Sequence, residues 1–390
     1  MPRGVARELK PRGAGAASTI LRPWAALAYS RARMTPRTFR PLVNLVRARI
    51  ADGLIPGAVV AIGRSSRLVF QAALGRRALE PRREKITATT IFDLASLTKV
   101  MVTAPLLVER AVRGEISLLD PLSRHLPETR GTEVGAIPLH MLLTHTAGFV
   151  PDNPMEDYAG TKARLLAAIA REPLASPPGT KFDYSDVGYV LLQFVLERRA
   201  GTRLDRLADR ELFLPLRFRD TRYGVPETKR KRTAPTTFER GRWLRGRVHD
   251  PRARSRALAG VAGHAGIFGT AREVSRFCEM ILLKGRWRGR RILAEETVRA
   301  MTTDQCGGNI GARRGFGFDI ESPYSSPRGL RFSRHSFGHT GWTGVSLWID
   351  AENDAYVVLL TNAIHPDGHK DLKAFRSDVA TRAAEGLGIR

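Results

Sequence analysis

Residues 91–100 read IFDLASLTKV, and the fold turns on whether Ser96 and Lys99, three places apart, are a nucleophile and its activator or two residues of an ordinary helix. Spacing alone decides nothing, because eighteen serines and ten lysines in 390 residues give about half a match by chance. Context says more. Ser96 joins the apolar run Ile91-Phe92-Asp93-Leu94-Ala95 to a helical stretch, with Asp93 near its start as a cap, so the serine oxygen lies at the positive end of a helix dipole. At i and i+3 the two side chains share a helical face. The Lys99 amine can take the Ser96 proton if its own charge is suppressed, which needs burial or a cationic or phenolic neighbour. Pro105 is expected to kink or shorten the helix that follows.

Working outward, a helix is expected over 38–52, and PGAVVAIGRSSRLVFQAALG (56–75) reads as two β-rich runs split at Gly63–Arg67, a hairpin signal. GVSLWIDAENDAYVVLLTN (344–362) repeats the device, with Ala351–Asp354 as the turn. Leu372, Phe375, Val379 and Ala383 then fall on one helical face. Between these ends, TKARLLAAIARE (161–172) and GYVLLQFVLERRAG (188–201) have helical period, the second closing at Gly201 as a C-cap. Strands at both ends with mostly helical sequence between them imply a sheet assembled from distant parts of the chain around a helical insertion.

PPGTKFDYSDVGYVLL (177–192) offers the neighbour that Lys99 requires: Tyr184 stands before a helical run, with Asp186 two places on. Much later, FGHTGWTGVSLWI (337–349) puts His339-Thr340-Gly341 ahead of a strand. In that order, Ser96-x-x-Lys99, Tyr184-x-Asp186 and His339-Thr340-Gly341 resemble the three active-site motifs of the superfamily of penicillin-binding proteins, class C β-lactamases and serine esterases. The phrases GLIPGAVVAIG (53–63), LLTHTAGF (142–149), LFLPLRFRDTRY (212–223) and AGHAGIFGTA (262–271) are also similar, so the resemblance runs from about residue 41 to the C-terminus.

The resemblance implies an α+β fold, an antiparallel β-sheet flanked by helices (β-lactamase/transpeptidase-like) with a mostly helical second lobe and the active site between them. The α/β lobe is expected at about 41–120 and 255–390, the helical lobe at about 121–254, and residues 1–40 as a basic, disordered tail. It implies that Ser96 attacks a carbonyl, that Lys99 and Tyr184 share the acid–base work, and that the backbone N–H groups of Ser96 and Trp342 hold the oxyanion. It also implies that Asp186, His339, Thr340 and Gly341 border the substrate.

Three departures matter. Asp186 stands where the family usually has asparagine; an ionised carboxylate only accepts hydrogen bonds and favours a charged Lys99, which shifts deprotonation toward Tyr184. His339 stands where penicillin-recognising members often carry lysine, so a permanent cation is missing, and Asp186 and His339 are candidates to pair with each other. Both changes make a neutral ester or amide a more natural substrate than a β-lactam or a peptide with a free carboxylate. Arg217-Phe218 replaces a common Gly-Met, with an effect expected on a lobe surface and not on the chemistry.

His145 and His264, flanked by small residues, are expected to be structural; His249, next to Asp250, is open between structure and site, and Arg334 and His335 between cleft entrance and surface charge. No Gly-x-Ser-x-Gly elbow, zinc ligand set, P-loop or dinucleotide fingerprint occurs, so neither a metal nor a cofactor is expected. Cys278 and Cys306 fit no metal spacing and no disulfide framework.

The formal charge is +26, from 54 arginines and 10 lysines against 38 acids. Residues 1–40 hold nine basic residues and one acid, and 227–256 hold eleven and three. No nucleic-acid motif or aromatic stacking platform accompanies either segment, so specific nucleic-acid binding is not expected. No run reaches the roughly 20 apolar residues of a membrane span, and Arg22 and Pro23 interrupt the N-terminal apolar stretch, which favours a cytoplasmic location; Met34 competes with Met1 as the start.

The expected activity is hydrolysis through an acyl-enzyme on Ser96, with small carboxylic esters first, amides or D-amino-acid peptides second and β-lactams third. The rival is a silent scaffold with a polyanion-binding surface, against which the presence of Ser96, Lys99 and Tyr184 argues.

Overall fold

Two β-hairpins from opposite ends of the chain pair edge to edge at the centre of an eight-stranded sheet. The structure, a computed structural model, describes residues 36–307 and 310–390. The strands are β1 (Gly57–Arg64), β2 (Arg67–Ala78), β3 (Glu84–Lys85), β4 (Arg313–Arg314), β5 (Asp319–Glu321), β6 (Phe337–Thr340), β7 (Ser346–Asp350) and β8 (Ala355–Thr361). They lie in the order β4-β5-β6-β7-β8-β1-β2-β3, every neighbouring pair antiparallel. Ala58 faces Thr361 and Arg64 faces Ala355 across the join.

Period-two alternation gives the sheet two apolar faces. Val59, Ala61, Tyr356, Val358 and Leu360 enter the larger core, while Ala58, Val60, Ile62, Val357 and Leu359 pack into a second. The second face is covered by α1 (Arg40–Ala51), which buries Leu42 and Val46, and by a C-terminal helix, Lys373–Gly386, which buries Phe375, Val379 and Ala383 on the expected face. The larger core includes residues of Ala104–Val112, Asp186–Ala200 and Ala271–Leu282. These three helices are α2, α3 and α4, and the C-terminal helix is α5. Gly63 leaves room for its partner in the register, since a Cβ there would lie 1.9 Å from the Tyr356 ring.

The chain before residue 41 joins the fold earlier than expected: Phe39 is buried and stacks on Phe70, because an aromatic ring there closes the α1 end of the second core. Pro36–Phe39 form a short 3₁₀ turn that runs into α1 at Arg40, so the expected tail is ordered from residue 36; residues 1–35, Met34 among them, lie outside the described residues. No helix among the described residues is long and apolar enough to cross a membrane. Both cysteines are free thiols.

The segment after Ser96 shows what Pro105 does. Lys99–Thr103 form a wide π turn in which the Ala104 N–H donates to the Lys99 carbonyl, and Pro105 then occupies the first turn of α2, where its missing N–H costs nothing. Helices fill the chain from Leu122 to Phe213, but the rest of the expected helical segment contains strand Arg222–Tyr223 and the hairpin Pro235–Glu239/Arg242–Arg245. Arg240 and Gly241, both at positive φ, make its turn between β-prone Thr-Thr-Phe and Trp-Leu.

Candidate active site

Ser96 lies at a strained turn. Ala95 before it has φ +46, and the Ala95 N–H donates to the Asp93 carboxylate at 2.9 Å, so strand Phe92–Asp93 ends by presenting Ser96 at the head of the turn. From the next turn Lys99, fully buried, points its ammonium at the Ser96 oxygen at 3.0 Å. The same ammonium lies 2.6 Å from Asp186 Oδ1, donates to the His264 carbonyl at 3.3 Å, and stands 4.9 Å from the centre of the Tyr184 ring. The Tyr184 phenol faces both Lys99 and Ser96 across the same pocket. The hydroxyl, amine and phenol anticipated from the three motifs therefore converge.

Burial alone would push Lys99 below its ordinary pKa, but the Asp186 carboxylate, helped by Tyr184, outweighs it and holds the ammonium above that value. Burial raises the Tyr184 phenol, with Lys99 opposing. At neutral pH the resting cluster thus contains a neutral phenol and an ammonium paired with a carboxylate. Ser185 caps α3 by accepting from the Val187 N–H, which fixes Asp186 as the first residue of the helix, opposite Lys99.

The third motif is tied directly to the Ser96 turn. Thr343 Oγ1 donates to the Asp93 carbonyl at 2.8 Å, and a Cβ on Gly341 would lie 3.0 Å from the Leu94 carbonyl and 3.1 Å from the Ala95 Cβ. Glycine permits that approach. The N–H groups of Ser96 and Trp342 have no acceptor among the described residues, which is the state a pair of oxyanion donors requires. Thr340 and Gly341 line the cleft, and the half-exposed Trp342 stacks on His369 at 3.8 Å at its mouth.

The expected Asp186–His339 pair does not form. Asp186 is taken by Lys99, whose full charge out-competes an imidazole, and His339 Nδ1 is 2.7 Å from the Thr340 carbonyl. Burial, with Lys99 and Arg314 nearby, holds His339 well below its ordinary pKa, so it is neutral.

A cation nevertheless stands beside the third motif, and it comes from a helix that the motifs did not single out. Arg376 of α5 donates to the Gly341 carbonyl at 2.8 Å and the Val345 carbonyl at 3.2 Å and lines the cleft. Its guanidinium has no carboxylate within ion-pair distance among the described residues, and burial pushes its pKa down to about 10. Sequence offered one signal: Arg376 follows the buried Phe375 directly in an otherwise regular apolar face.

The other histidines sort themselves by contact. His145 is buried at φ +59, accepts the Ser185 N–H on Nδ1 at 3.1 Å and stacks on Tyr184. His264 and His249 both line the cleft; His264 Nε2 lies 3.2 Å from Asp250, and the His249 N–H donates to Asp93 at 2.8 Å. Arg334 and His335 lie on the surface, near Glu321 and Glu352 respectively. Arg217 and Phe218 lie away from the cleft, Phe218 against Phe213.

Asp186, Asp250 and His264 bring one ligand atom each within 4.8 Å of one another. A metal ion among them would face the Lys99 ammonium, and all three already have partners, Asp186 in Lys99 and Asp250 and His264 in each other, so the group makes a poor cation cradle. The basic segment 227–256 is compensated largely by acids elsewhere in the chain: Arg232 pairs with Asp220, Arg245 with Glu84 and Arg252 with Asp152, while Arg254 pairs with Glu239 inside the segment. It offers fewer free cations than its composition suggests.

The cleft holding these groups has a volume of about 1010 Å³, at the upper end of small-molecule sites. Over 371 residues the chain is 28% identical to an N-acetylmuramyl-L-alanine amidase of Bacillus subtilis (strain 168), covering 86% of this chain and 83% of that protein. In fold it is similar to EstCE1, a hydrolase with promiscuous acyltransferase activity, at TM-score 0.71 and 23% identity, covering 88% of this chain and 98% of that one. It is also similar to a class C β-lactamase at TM-score 0.75 and 18% identity, covering 92% and 99%. At those two identities the likeness is one of fold. The β-lactamase family model matches residues 42–381, and on that match, over a site built around a serine and a lysine, the chain belongs to the β-lactamase family of serine hydrolases.

Proposed function

We propose that the protein hydrolyses an amide bond in a polar substrate carrying an anionic group, through an acyl-enzyme on Ser96. Ser96 Oγ attacks the carbonyl, the N–H groups of Ser96 and Trp342 hold the oxyanion, and the Ser96 proton passes into the Lys99–Tyr184 pair. An amine is a poor leaving group unless protonated, and the neutral, buried Tyr184 phenol is placed to protonate it. Water then releases the acyl group by the same steps in reverse.

The observation that carries the substrate class is Arg376, a part-buried guanidinium on the cleft wall with no carboxylate within ion-pair distance among the described residues. A part-buried cation left in that state favours an anionic ligand. The large cleft and the amidase name of the Bacillus relative support the same reading. The neutral-substrate expectation rested on Asp186 in place of asparagine and on a missing cation at position 339, and Arg376 supplies a cation nearby.

Small esters are the second reading, favoured by the neutral His339 and by the fact that an ester needs little leaving-group protonation. Intact-mass detection of the acyl adduct, across N-acyl dipeptides with free and amidated C-termini, p-nitrophenyl butyrate and nitrocefin, separates them. A preference of about tenfold or more for the free carboxylate, lost in Ser96→Ala, is expected. Equal acylation by the neutral esters assigns the site to esters. If a fluorophosphonate fails to label folded wild type, the protein is no serine hydrolase.

A further inference from the structure

Given acyl-enzyme formation on Ser96, the proposed reading on which this assignment rests, Lys99 enters the reaction already charged, and the Ser96 proton needs another destination. An ammonium accepts a proton only by giving one up to a neighbour at the same time. Its neighbours are few. The Ser96 oxygen is the donor, the His264 carbonyl is an amide oxygen and no base, and Tyr184 holds its own proton. Asp186 Oδ1, 2.6 Å from Nζ, is the remaining polar contact among the described residues.

We infer that Asp186 is a catalytic residue, the resting place of the proton that leaves Ser96, with Lys99 acting as the relay between them. As Oγ bonds to the carbonyl carbon, the Oγ–H bond breaks and an N–H bond forms on Lys99 Nζ. A second Nζ–H bond breaks and an O–H bond forms on Asp186, while the carbonyl π pair moves onto the oxygen. On collapse the C–N bond breaks, and the proton returns from Asp186 through Lys99 and the Tyr184 phenol to the leaving nitrogen. Nothing is oxidised or reduced, and Asp186 ends as a carboxylate.

The surroundings suit this part. Asp152 and Asp250 face Asp186 from neighbouring loops, so a proton arriving there relieves repulsion among three carboxylates. His264 pairs with Asp250, Tyr158 lies beyond them, and Tyr184 faces Asp186 from its own segment. The Asp186 side chain keeps 18% of its surface accessible, enough to turn. It must turn, because Oδ1 is close to Nζ but off the hydrogen-bond axis.

The consequence is a pH profile. In the wild type the Lys99–Asp186 pair needs no proton loss to solvent, so the second-order rate of Ser96 labelling by a fluorophosphonate should be level between about pH 6 and 9. In Asp186→Asn, Lys99 must first lose a proton to water, so the rate should be depressed at least about tenfold near pH 7 and climb about tenfold per pH unit. Asp186→Glu, which keeps a carboxylate, should label more slowly than wild type but stay level. A folded Asp186→Asn with a level profile, fast or slow, overturns the inference, as does a steep profile in Asp186→Glu should the asparagine variant not fold. Absence of Ser96-dependent labelling in the wild type overturns the hydrolase reading itself, a different outcome from either profile.

Discussion

The imidazole of His145 lies against the ring of Tyr184, centre to centre 4.4 Å and inclined by 29°. The same residue holds the backbone on both sides of that tyrosine: its carbonyl accepts the Asp183 N–H at 2.9 Å and its Nδ1 accepts the Ser185 N–H at 3.1 Å. Expected to be structural, it is better described as a positioning residue for the phenol. His145→Ala should lower kcat about 10- to 100-fold with KM little changed, because it releases Tyr184 and leaves the rest of the cleft intact. His145→Asn should recover part of the loss, since asparagine tolerates the left-handed backbone at φ +59 and can accept from Ser185. Equal defects in both variants, confined to stability, would make the residue purely structural.

Arg376 tests the substrate class. Arg376→Lys keeps a charge but not the planar guanidinium whose Nη2 donates to the carbonyls of both Gly341 and Val345. Discrimination between free and amidated C-termini should fall about tenfold in Arg376→Lys and vanish in Arg376→Ala, while acylation by p-nitrophenyl butyrate stays within a few-fold. Steady-state kinetics on the matched pair of peptides measure this, and unchanged discrimination in the alanine variant removes the carboxylate from the proposal.

Acid sensitivity follows from buried imidazoles. Burial, with neighbouring cations, holds His145 and His339 well below their ordinary values, and burial lowers His365 to about 4. A group whose folded pKa is depressed gives stability that is fully present above its unfolded value and lost as pH falls toward the folded one. Stability should therefore decline from about pH 6.5 downward, by up to about 1.4 kcal/mol per pH unit for each of the three. His249 runs the other way: Asp93 overcomes burial and raises it, so its contribution is present at low pH and fades as pH rises past its folded value. Urea midpoints at pH 7.5 and 5.5 should fall on acidification, and less so in His339→Gln. A midpoint that rises on acidification contradicts the assignment of neutral imidazoles.

Gly63 tests the central join of the sheet. Its Cβ would enter the ring of Tyr356, the residue opposite it on β8. Gly63→Ala should destabilise the fold by about 2–3 kcal/mol in urea denaturation, and Tyr356→Leu in the same chain should restore part of it. Additive losses in the double variant would mean that the two residues do not compete for space.

Much of this molecule was legible before folding was considered, and the legible part is local. The two hairpins, the Gly201 cap of α3, the break at Pro105 and the Ser96–Lys99 pairing on one turn all follow from φ/ψ preferences or from periods of two and 3.6 residues. The two outer motifs come to Ser96 through resemblance, because no rule of spacing brings residues 184 and 339 to residue 96.

Charge states needed tertiary structure. That Asp186 would bind Lys99 and not His339 depends on which of two bases lies closer to an ammonium in a dry pocket. Arg376, more than thirty positions past the last motif, reaches the site because α5 packs on the second face of the sheet and Arg376 bonds the loop after β6. The amino-acid order specified which groups each turn and strand would present, since backbone sterics act over a few residues. Only the packed fold settled which of them are charged and whom they face, because desolvation and Coulomb energy depend on distances through space and not along the chain.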